Sequence, residues 1–311
     1  MSSNRTDSES RHRCGVVVIL GAPNVGKSTL LNAVVGQKVS IVTPKVQTTR
    51  ARVRGIAIEG DVQIVFTDTP GIFSPRRRFD RAMVKAAWSR TGDADLILVM
   101  VDARKIVTAG AIDEDTRRVL AGLAQSKPPA FLVINKVDAV TPHKLLWLVK
   151  ALNDLSTFDS TFMISALKGD GLADLMAEIC GRMPEGPWLF PEDQVSDQPT
   201  QFFATEITRE KLFLRLRQEL PYALTVETEL WTENKDGSVR IDQTIYVERE
   251  SQKPIIVGKG GRQIKEIGQA ARQELERFLD RRVHLFLHVK TRENWAEQRE
   301  HFRSLDLDYD A

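Results

Sequence analysis

Five short runs organise roughly the first 180 residues: GVVVIL, VQIVFTD, DLILVMVDA, AFLVINK and TFMIS. Each is rich in β-branched residues and almost unbroken in apolar content, the pattern of a strand buried on both faces. A sheet built from such strands needs cover on each side. The intervening segments supply it, with helical character over 27–35, 79–90, 111–125, 143–154 and 171–181. This alternation specifies a doubly wound α/β domain, whose ligands bind at the carboxyl ends of the strands. Functional residues are therefore expected directly after the apolar runs.

The first run ends in GAPNVGKST (21–29). Gly21, Gly26, Lys27 and Ser28 satisfy G-x-x-x-x-G-K-[ST], and they lie between a strand and a helix as a phosphate loop requires. Ala22, Pro23, Asn24 and Val25 complete a loop whose backbone N–H groups can wrap the α- and β-phosphates. The helix N-terminus adds its positive end, and Lys27 reaches the β- and γ-oxygens. Ser28 supplies a hydroxyl to Mg2+, and Thr29 is counted with the binding loop.

The second run closes on DTPG. Asp68 is expected to hold Mg2+ through water and the Gly71 N–H to reach a γ-phosphate, with Thr69 and Pro70 between them. NKVD (135–138) follows the fourth run and reads the base. Asp138 accepts two hydrogen bonds from the N1–H and amine of guanine, a pair that adenine does not offer. Asn135 ties the base edge to the phosphate loop, the Lys136 stem covers the ring face, and Val137 completes the tetrapeptide. After the last run, SAL (Ser165, Ala166, Leu167) directs the Ala166 N–H at guanine O6. In this order the four signals point to GTP.

Composition narrows the remainder. Hydrophobic residues at 42% and charged residues at 28% are ordinary for a soluble globular chain, and a net charge of +2 decides nothing until its distribution is known. Cys14 and Cys180 have no metal-ligand spacing and read as small buried thiols in a reducing compartment. His284 and His288 share a strand face, where packing or partner contact explains them better than metal. The opening MSSNRTDSESRHR resembles neither a secretory signal nor a transit peptide, and a cytoplasmic protein is expected.

Beyond the α/β region the pattern changes. Residues 183–200 carry Pro184, Pro187, Pro191 and Pro199 without a usable period and read as an extended linker. The expected domains are a disordered segment over 1–13, a nucleotide-binding domain over 14–182, the linker, an α+β domain over 201–292, and a C-terminal helix with an acidic tail over 293–311. In the α+β part, QFFATEIT is read as a strand and REKLFLRLRQEL as a helix. The order from about 209 to 290 is α-β-β-α-α-β, that of a type II KH domain, with GKGG (258–261) as its G-x-x-G loop. Gly258, Gly260 and Gly261 let the backbone approach RNA phosphates, and Lys259 and Arg262 add charge. Ile255, Ile256 and Ile264 are the expected floor for single-stranded bases. From 258 to 293 nine Lys/Arg stand against five Asp/Glu, an excess suited to phosphate binding. The basic PRRRF (75–79) is read first as solvated surface, with a nucleotide-sensitive contact as the alternative.

Taken in order, GAPNVGKST, DTPG, NKVD and SAL resemble the P-loop GTPases of the translation-factor-like branch. QTTR (47–50) is similar to their first switch. REKLFLRLRQELPY, KPIIVGKGGRQIKEIG and VKTRENWAEQR are similar to the second domain of those bacterial members that carry a C-terminal KH domain. The likeness runs from residue 14 to about 305. It implies a GTP-hydrolysing factor in small ribosomal subunit assembly, bound near the 3′ end of 16S rRNA and associated peripherally with the inner membrane; a monomer is expected. It implies Thr49 as the switch threonine on Mg2+ and the γ-phosphate, with Thr48 as the near alternative. Lys27, Thr49, Gly71 and Asn24 form the implied catalytic set. Asn24 matches the asparagine of relatives that bind K+ beside the phosphates, and the alternative is that it only shapes the loop. Many GTPases place a water-orienting glutamine after the DxxG glycine; this chain has Ile72, so intrinsic hydrolysis is expected to be slow. Two other classes stay open on the sequence. One is an RNA-binding assembly module with GTP mainly a conformational ligand. The other is a membrane-peripheral GTPase in cell-cycle signalling, against which stands the lack of a strongly apolar amphipathic anchor.

Overall fold

A computed structural model describes residues 12–89 and 91–311. The expectation of disorder over 1–13 falls on residues outside this range, except for His12, whose carbonyl accepts from Gly186 N at 3.0 Å, and Arg13, the first residue of a strand. The elements run β1 (Arg13–Gly21), α1 (Lys27–Val35), β2 (Val53–Glu59), β3 (Val62–Asp68), α2 (Arg78–Trp88), β4 (Leu96–Asp102), α3 (Ala103–Ala109), α4 (Glu114–Leu123), β5 (Ala130–Asn135), α5 (Pro142–Asn153), β6 (Ser160–Ile164) and α6 (Leu172–Arg182). The second half contains α7 (Thr200–Arg215), β7 (Leu224–Glu233), β8 (Val239–Val247), α8 (Lys253–Val257), α9 (Arg262–Leu279), β9 (Val283–Thr291) and α10 (Arg299–Ser304).

The expected doubly wound sheet is present, in the order β2-β3-β1-β4-β5-β6. β1 pairs in parallel with β3 and β4, β4 with β5, and β5 with β6. β3, β4 and β5 are buried along their whole length, as their unbroken apolar runs require. Two elements lie outside the sequence expectation. β2 is an edge strand with a partly exposed pattern, so it lacks the continuous apolar signature. α3 starts without a loop because Asp102, the last residue of β4, caps it by accepting from the Lys105 N–H at 2.9 Å.

Contacts divide the chain into two compact units, and the division interleaves along the sequence. Among the described residues, one holds the chain up to Lys38, Arg54–Asp68 and Ser89–Asp197; the other holds Val39–Val53, Thr69–Trp88 and Gln198–Ala311. In the first unit the Pro-rich stretch is strapped to β2 and β3. The Gln63 side chain, fully buried, donates to Phe190 O at 2.8 Å and accepts from the Leu189 and Phe190 N–H groups. Val195 O accepts from Ile56 N at 2.9 Å.

In the second unit β7 and β8 are antiparallel and β8 and β9 parallel. QFFATEIT is not a strand: it is the first half of α7. The reason is phase. Phe203, Ala204, Ile207, Thr208 and Leu212 are all buried, so the apolar spacing of QFFATEIT continues that of the following segment with a helical period. Two apolar clusters join α7 and α9 to the sheet. One contains Leu212, Val247, Ile256 and Ile267; the other contains Phe203, Ile207, Ile241 and Leu275. Among the described residues no helix is long and apolar enough to cross a membrane.

Candidate nucleotide site and nucleic-acid interface

The carboxyl ends of β1, β3, β5 and β6 carry the predicted residues of the first unit. Gly26 sits at φ 104°, and a Cβ there would lie 2.3 Å from Asn135 Nδ2, so both conformation and space demand glycine. Asn135 is almost fully buried. Its Nδ2 donates to Val25 O at 2.7 Å and its Oδ1 accepts from the Ala166 N–H at 3.0 Å. One side chain thus joins the phosphate loop, the NKVD turn and the SAL turn. The Ala166 N–H, expected at guanine O6, is engaged with Asn135, so a bound base must share or replace that bond.

Lys27 is buried, and its Nζ donates to Gly21 O at 3.1 Å and Ala22 O at 3.2 Å across the loop. Burial pushes this ammonium down to about 8, against an opposing pull from Asp68. The phosphates it is suited to meet would restore the charge. Ser28 Oγ donates to Asp68 Oδ2 at 2.6 Å, bringing a hydroxyl and a carboxylate together. Such hard oxygen donors suit Mg2+. Pro23 and Thr29 are half-buried, Asn24 is exposed at φ 63°, and its carbonyl accepts from Lys136 Nζ at 2.6 Å.

Lys136 also pairs with Asp102 Oδ2 at 2.5 Å. Asp102 stands opposite Asn135 in the β4–β5 register, a supporting role that the sequence reading missed. Its only signal was a carboxylate at the carboxyl end of a buried strand. At the neighbouring turn a hydrogen bond from Ser165 holds the Asp138 carboxyl below its ordinary value, with burial opposing and Lys168 helping. Asp138 is therefore an ionised acceptor, as base reading requires. Val137 begins the short turn that presents it, and Leu167 is the most exposed large apolar residue of the SAL turn.

The remaining residues expected to form the switches belong to the second unit. Thr48 Oγ1 donates to Lys45 O and meets Thr43 Oγ1, both at 2.7 Å, so its hydroxyl is turned into its own loop; Thr49 is buried. Thr69 and Pro70 are buried, Gly71 is half-buried, and Ile72 is fully buried, with no group to orient water. Lys45 Nζ caps α7 through Leu216 O at 2.7 Å and Phe213 O. Arg50 donates to Leu224 O at 2.8 Å and Pro221 O at 3.3 Å, and its guanidinium lies 5.4–5.9 Å from the ring centroids of Trp295, Phe213 and Phe79.

The GKGG loop follows α8 with Gly258, Gly260 and Gly261 at φ 74°, 61° and 76°. A Cβ on Gly258 would lie 2.7 Å from Gln263 Cβ, so the first glycine is required by close approach. Lys259 and Arg262 are exposed. The loop borders an open cleft of about 440 Å³ lined by Arg215, Gly258, Lys259, Arg262, Gln263 and Glu266. Glu266, unforeseen in the sequence, holds Arg215 at 2.6 Å and Arg262 at 3.1 Å. The expected apolar floor needs correction. Ile255 is exposed, but Ile256 is fully buried in the α7–sheet core and Ile264 is half-buried against it. Neighbouring residues on a helix point about 100° apart, so one isoleucine faces out and the next faces in.

Known proteins match this arrangement. Residues 16–136 match the family described as 50S ribosome-binding GTPase, and 219–296 match the KH domain. GTPase Era of Rhizobium meliloti (strain 1021) is 58% identical over 297 residues, covering 96% of this chain and 93% of that protein. The chain belongs to the GTPase Era family. Era of Caulobacter vibrioides (strain NA1000 / CB15N) is 53% identical over 315 residues, covering 98% of this chain and 100% of its own. A crystal structure of Era with MgGDPNP and nucleotides 1506–1542 of 16S ribosomal RNA superposes with a TM-score of 0.88 at 39% identity, covering 94% of this chain and 98% of that one. A point variant of Aquifex aeolicus Era bound to GDP·AlF4− gives 0.87 at 38% identity, with the same coverage.

Proposed function

We propose that this Era-family GTPase binds GTP with Mg2+, hydrolyses it, and binds the 3′ region of 16S rRNA through its KH domain during small-subunit assembly. The carrying observation is Asn135, which locks the phosphate loop to the two base-reading turns in a chain that also bears the G-x-x-G loop. An Era structure at 39% identity holds MgGDPNP and a 16S rRNA fragment together, which supports carrying both ligands over. Ser28 and Asp68 would hold the Mg2+, with Thr49 as the implied third ligand; bound there, the ion neutralises charge on the β- and γ-phosphates. Lys27 supports the γ-phosphate, and Asp138 rejects adenine. Asn24 is the proposed K+ ligand, taking the electrostatic role that Ile72 cannot.

Replacing both Lys259 and Gly260 with Asp tests the RNA half. Single-stranded RNA affinity should fall by about 100-fold, with a flatter salt dependence, while GTP affinity stays unchanged. Undiminished RNA affinity would reject the G-x-x-G assignment.

A further inference from the structure

Two features of the sequence serve neither the nucleotide nor the G-x-x-G loop: the basic run 76–78 and the acidic end LDLDYDA. The structure joins them within the second unit. Phe302 of α10 packs on the apolar face of α2 formed by Phe79, Ala82 and Met83, and after the chain turns at Asp306, φ 54°, Leu307 joins it there. With that anchor in place, the acids on either side meet cations. Asp306 pairs with Arg52, Asp308 with Lys85 at 2.7 Å, and Asp310 with Arg299 at 3.7 Å. The Tyr309 ring has the guanidinium of Arg78 4.7 Å and that of Arg299 4.5 Å from its centroid.

Stability does not account for these pairs. The partners of the Lys85–Asp308 and Arg299–Asp310 pairs are all more than half exposed, and exposed ion pairs contribute only about 0–1 kcal/mol each; in the third pair Asp306 is exposed while Arg52 is largely covered. What the tail reproduces is chemistry: a negative charge at every second residue, with a planar ring among them stacked on arginine. Single-stranded RNA presents the same two features, phosphates and stacking bases, to basic and planar side chains.

We propose that Arg52, Arg78, Lys85 and Arg299 form a second RNA-contact face, which takes the sugar–phosphate backbone of single-stranded RNA, and that the tail from Asp306 onward is its intramolecular occupant. The inference rests on the reading of the chain as an RNA-binding protein. A tethered occupant acts at high effective concentration, so free RNA competes poorly unless the GKGG loop already holds the strand nearby. The tail therefore favours RNA long enough to reach both places.

The test uses the full chain and a fluorescent 12-nucleotide single-stranded RNA, read by anisotropy across a salt series. The variant Asp306→Asn/Asp308→Asn/Asp310→Asn keeps Leu307 and removes only the competing charge. It should bind about tenfold more tightly at low salt, with a slope of log K against log salt steeper by about two, as for about three added phosphate contacts. Adding Arg78→Glu and Lys85→Glu should cancel the gain. A charge-matched control, Glu185→Gln/Glu192→Gln/Asp193→Asn, should not show it. Truncation after Leu307 provides a second route to the same exposure and should reproduce the tighter binding. In the Lys259→Asp/Gly260→Asp background the neutralised tail should restore weak, salt-steep binding. If that background alone binds RNA as well as the parent does, the KH reading fails. If it loses RNA binding and tail neutralisation restores none, the second face fails. Wild-type affinity in both tail variants, an equal gain in the control, or a gain for anionic phospholipid vesicles without one for RNA would each overturn the proposal.

Discussion

At the residue scale, Lys27 and Asn24 show how much chemistry one position carries beyond its motif letter. Burial sets the free Lys27 ammonium at about 8, and bound phosphates must raise it. Below pH 8 the charge is already present. Above it, GTP binding has to take up a proton, so affinity should fall by up to tenfold per pH unit as pH rises, until the bound-state value is passed. Titration calorimetry from pH 7 to 9 measures the slope. Guanine also deprotonates at alkaline pH, so Lys27→Met serves as the control: it should bind more weakly but with a shallower slope, and parallel slopes would refute the assignment. Asn24 was legible as a motif position, but its backbone was not. Its φ of 63° is one that asparagine tolerates better than most residues, so Asn24→Ala would disturb loop shape and ligand together. Asn24→Gly keeps the conformation and removes the side-chain oxygen. If Asn24 ligates K+, hydrolysis by the parent should be faster in K+ than in Na+ at equal ionic strength, and the glycine variant should lose the difference. A glycine variant that retains a K+ advantage would leave Asn24 with loop shaping alone.

At the element scale, the sequence was readable where an element carries a continuous apolar run, and β6 was legible for that reason although its burial is divided. The continuously apolar β3, β4 and β5 declared themselves, whereas edge strand β2, partly exposed and without a continuous apolar run, did not. QFFATEIT looked strand-like by residue type, and only the continuity of its apolar phase into Leu212 identifies a helix. Ile255 and Ile256 have the same composition and opposite fates, a difference that belongs to α8 packing rather than to sequence. α10 carries a consequence that composition cannot show. His301 is buried, stacked on Phe79 with ring centroids 5.5 Å apart and edge-on to Trp295 at 4.7 Å. Burial first, and then Arg50, Arg292 and Arg209, push its imidazole down to about 3. The unfolded or undocked form protonates near the ordinary 6.5, so it binds the proton first and stability falls as pH drops from 6.5 toward 3. Between pH 7 and 5 the loss should be about 2 kcal/mol. Urea unfolding at the two pH values checks this, with His301→Phe expected to flatten the dependence; an unchanged dependence in that variant would assign the effect to other groups.

At the scale of the whole molecule, the motifs named both ligands, but the sequence order concealed how the segments between them are held. Val39–Val53 and Thr69–Trp88 lie within the nucleotide-binding sequence, yet by contact they belong with the KH domain. The links are specific. Val42 N donates to Glu210 Oε1 at 2.9 Å, Arg209 donates to Thr48 O, and Lys45 and Arg50 reach carbonyls at and beyond the end of α7. Arg50 is the most exacting of them. Its charge is buried among three aromatic rings, and burial, followed by Arg209, pushes it down to about 9. A buried guanidinium is kept by its carbonyl partners and ring faces, so losing that site would leave a costly uncompensated charge. Arg50 follows Thr48 and Thr49, the threonines expected in the first switch, so a nucleotide-driven change there would reach a side chain seated in the RNA-binding unit. Arg50→Met keeps much of the stem volume and removes the charge. It should leave GTP affinity and KH folding intact while the ratio of RNA affinities in the GTP-analogue and GDP states shrinks toward one, whichever state binds more tightly in the parent. Anisotropy titrations of one RNA in both nucleotide states measure that ratio. If Arg50→Met preserves it, the switch segments communicate with the KH domain by another route.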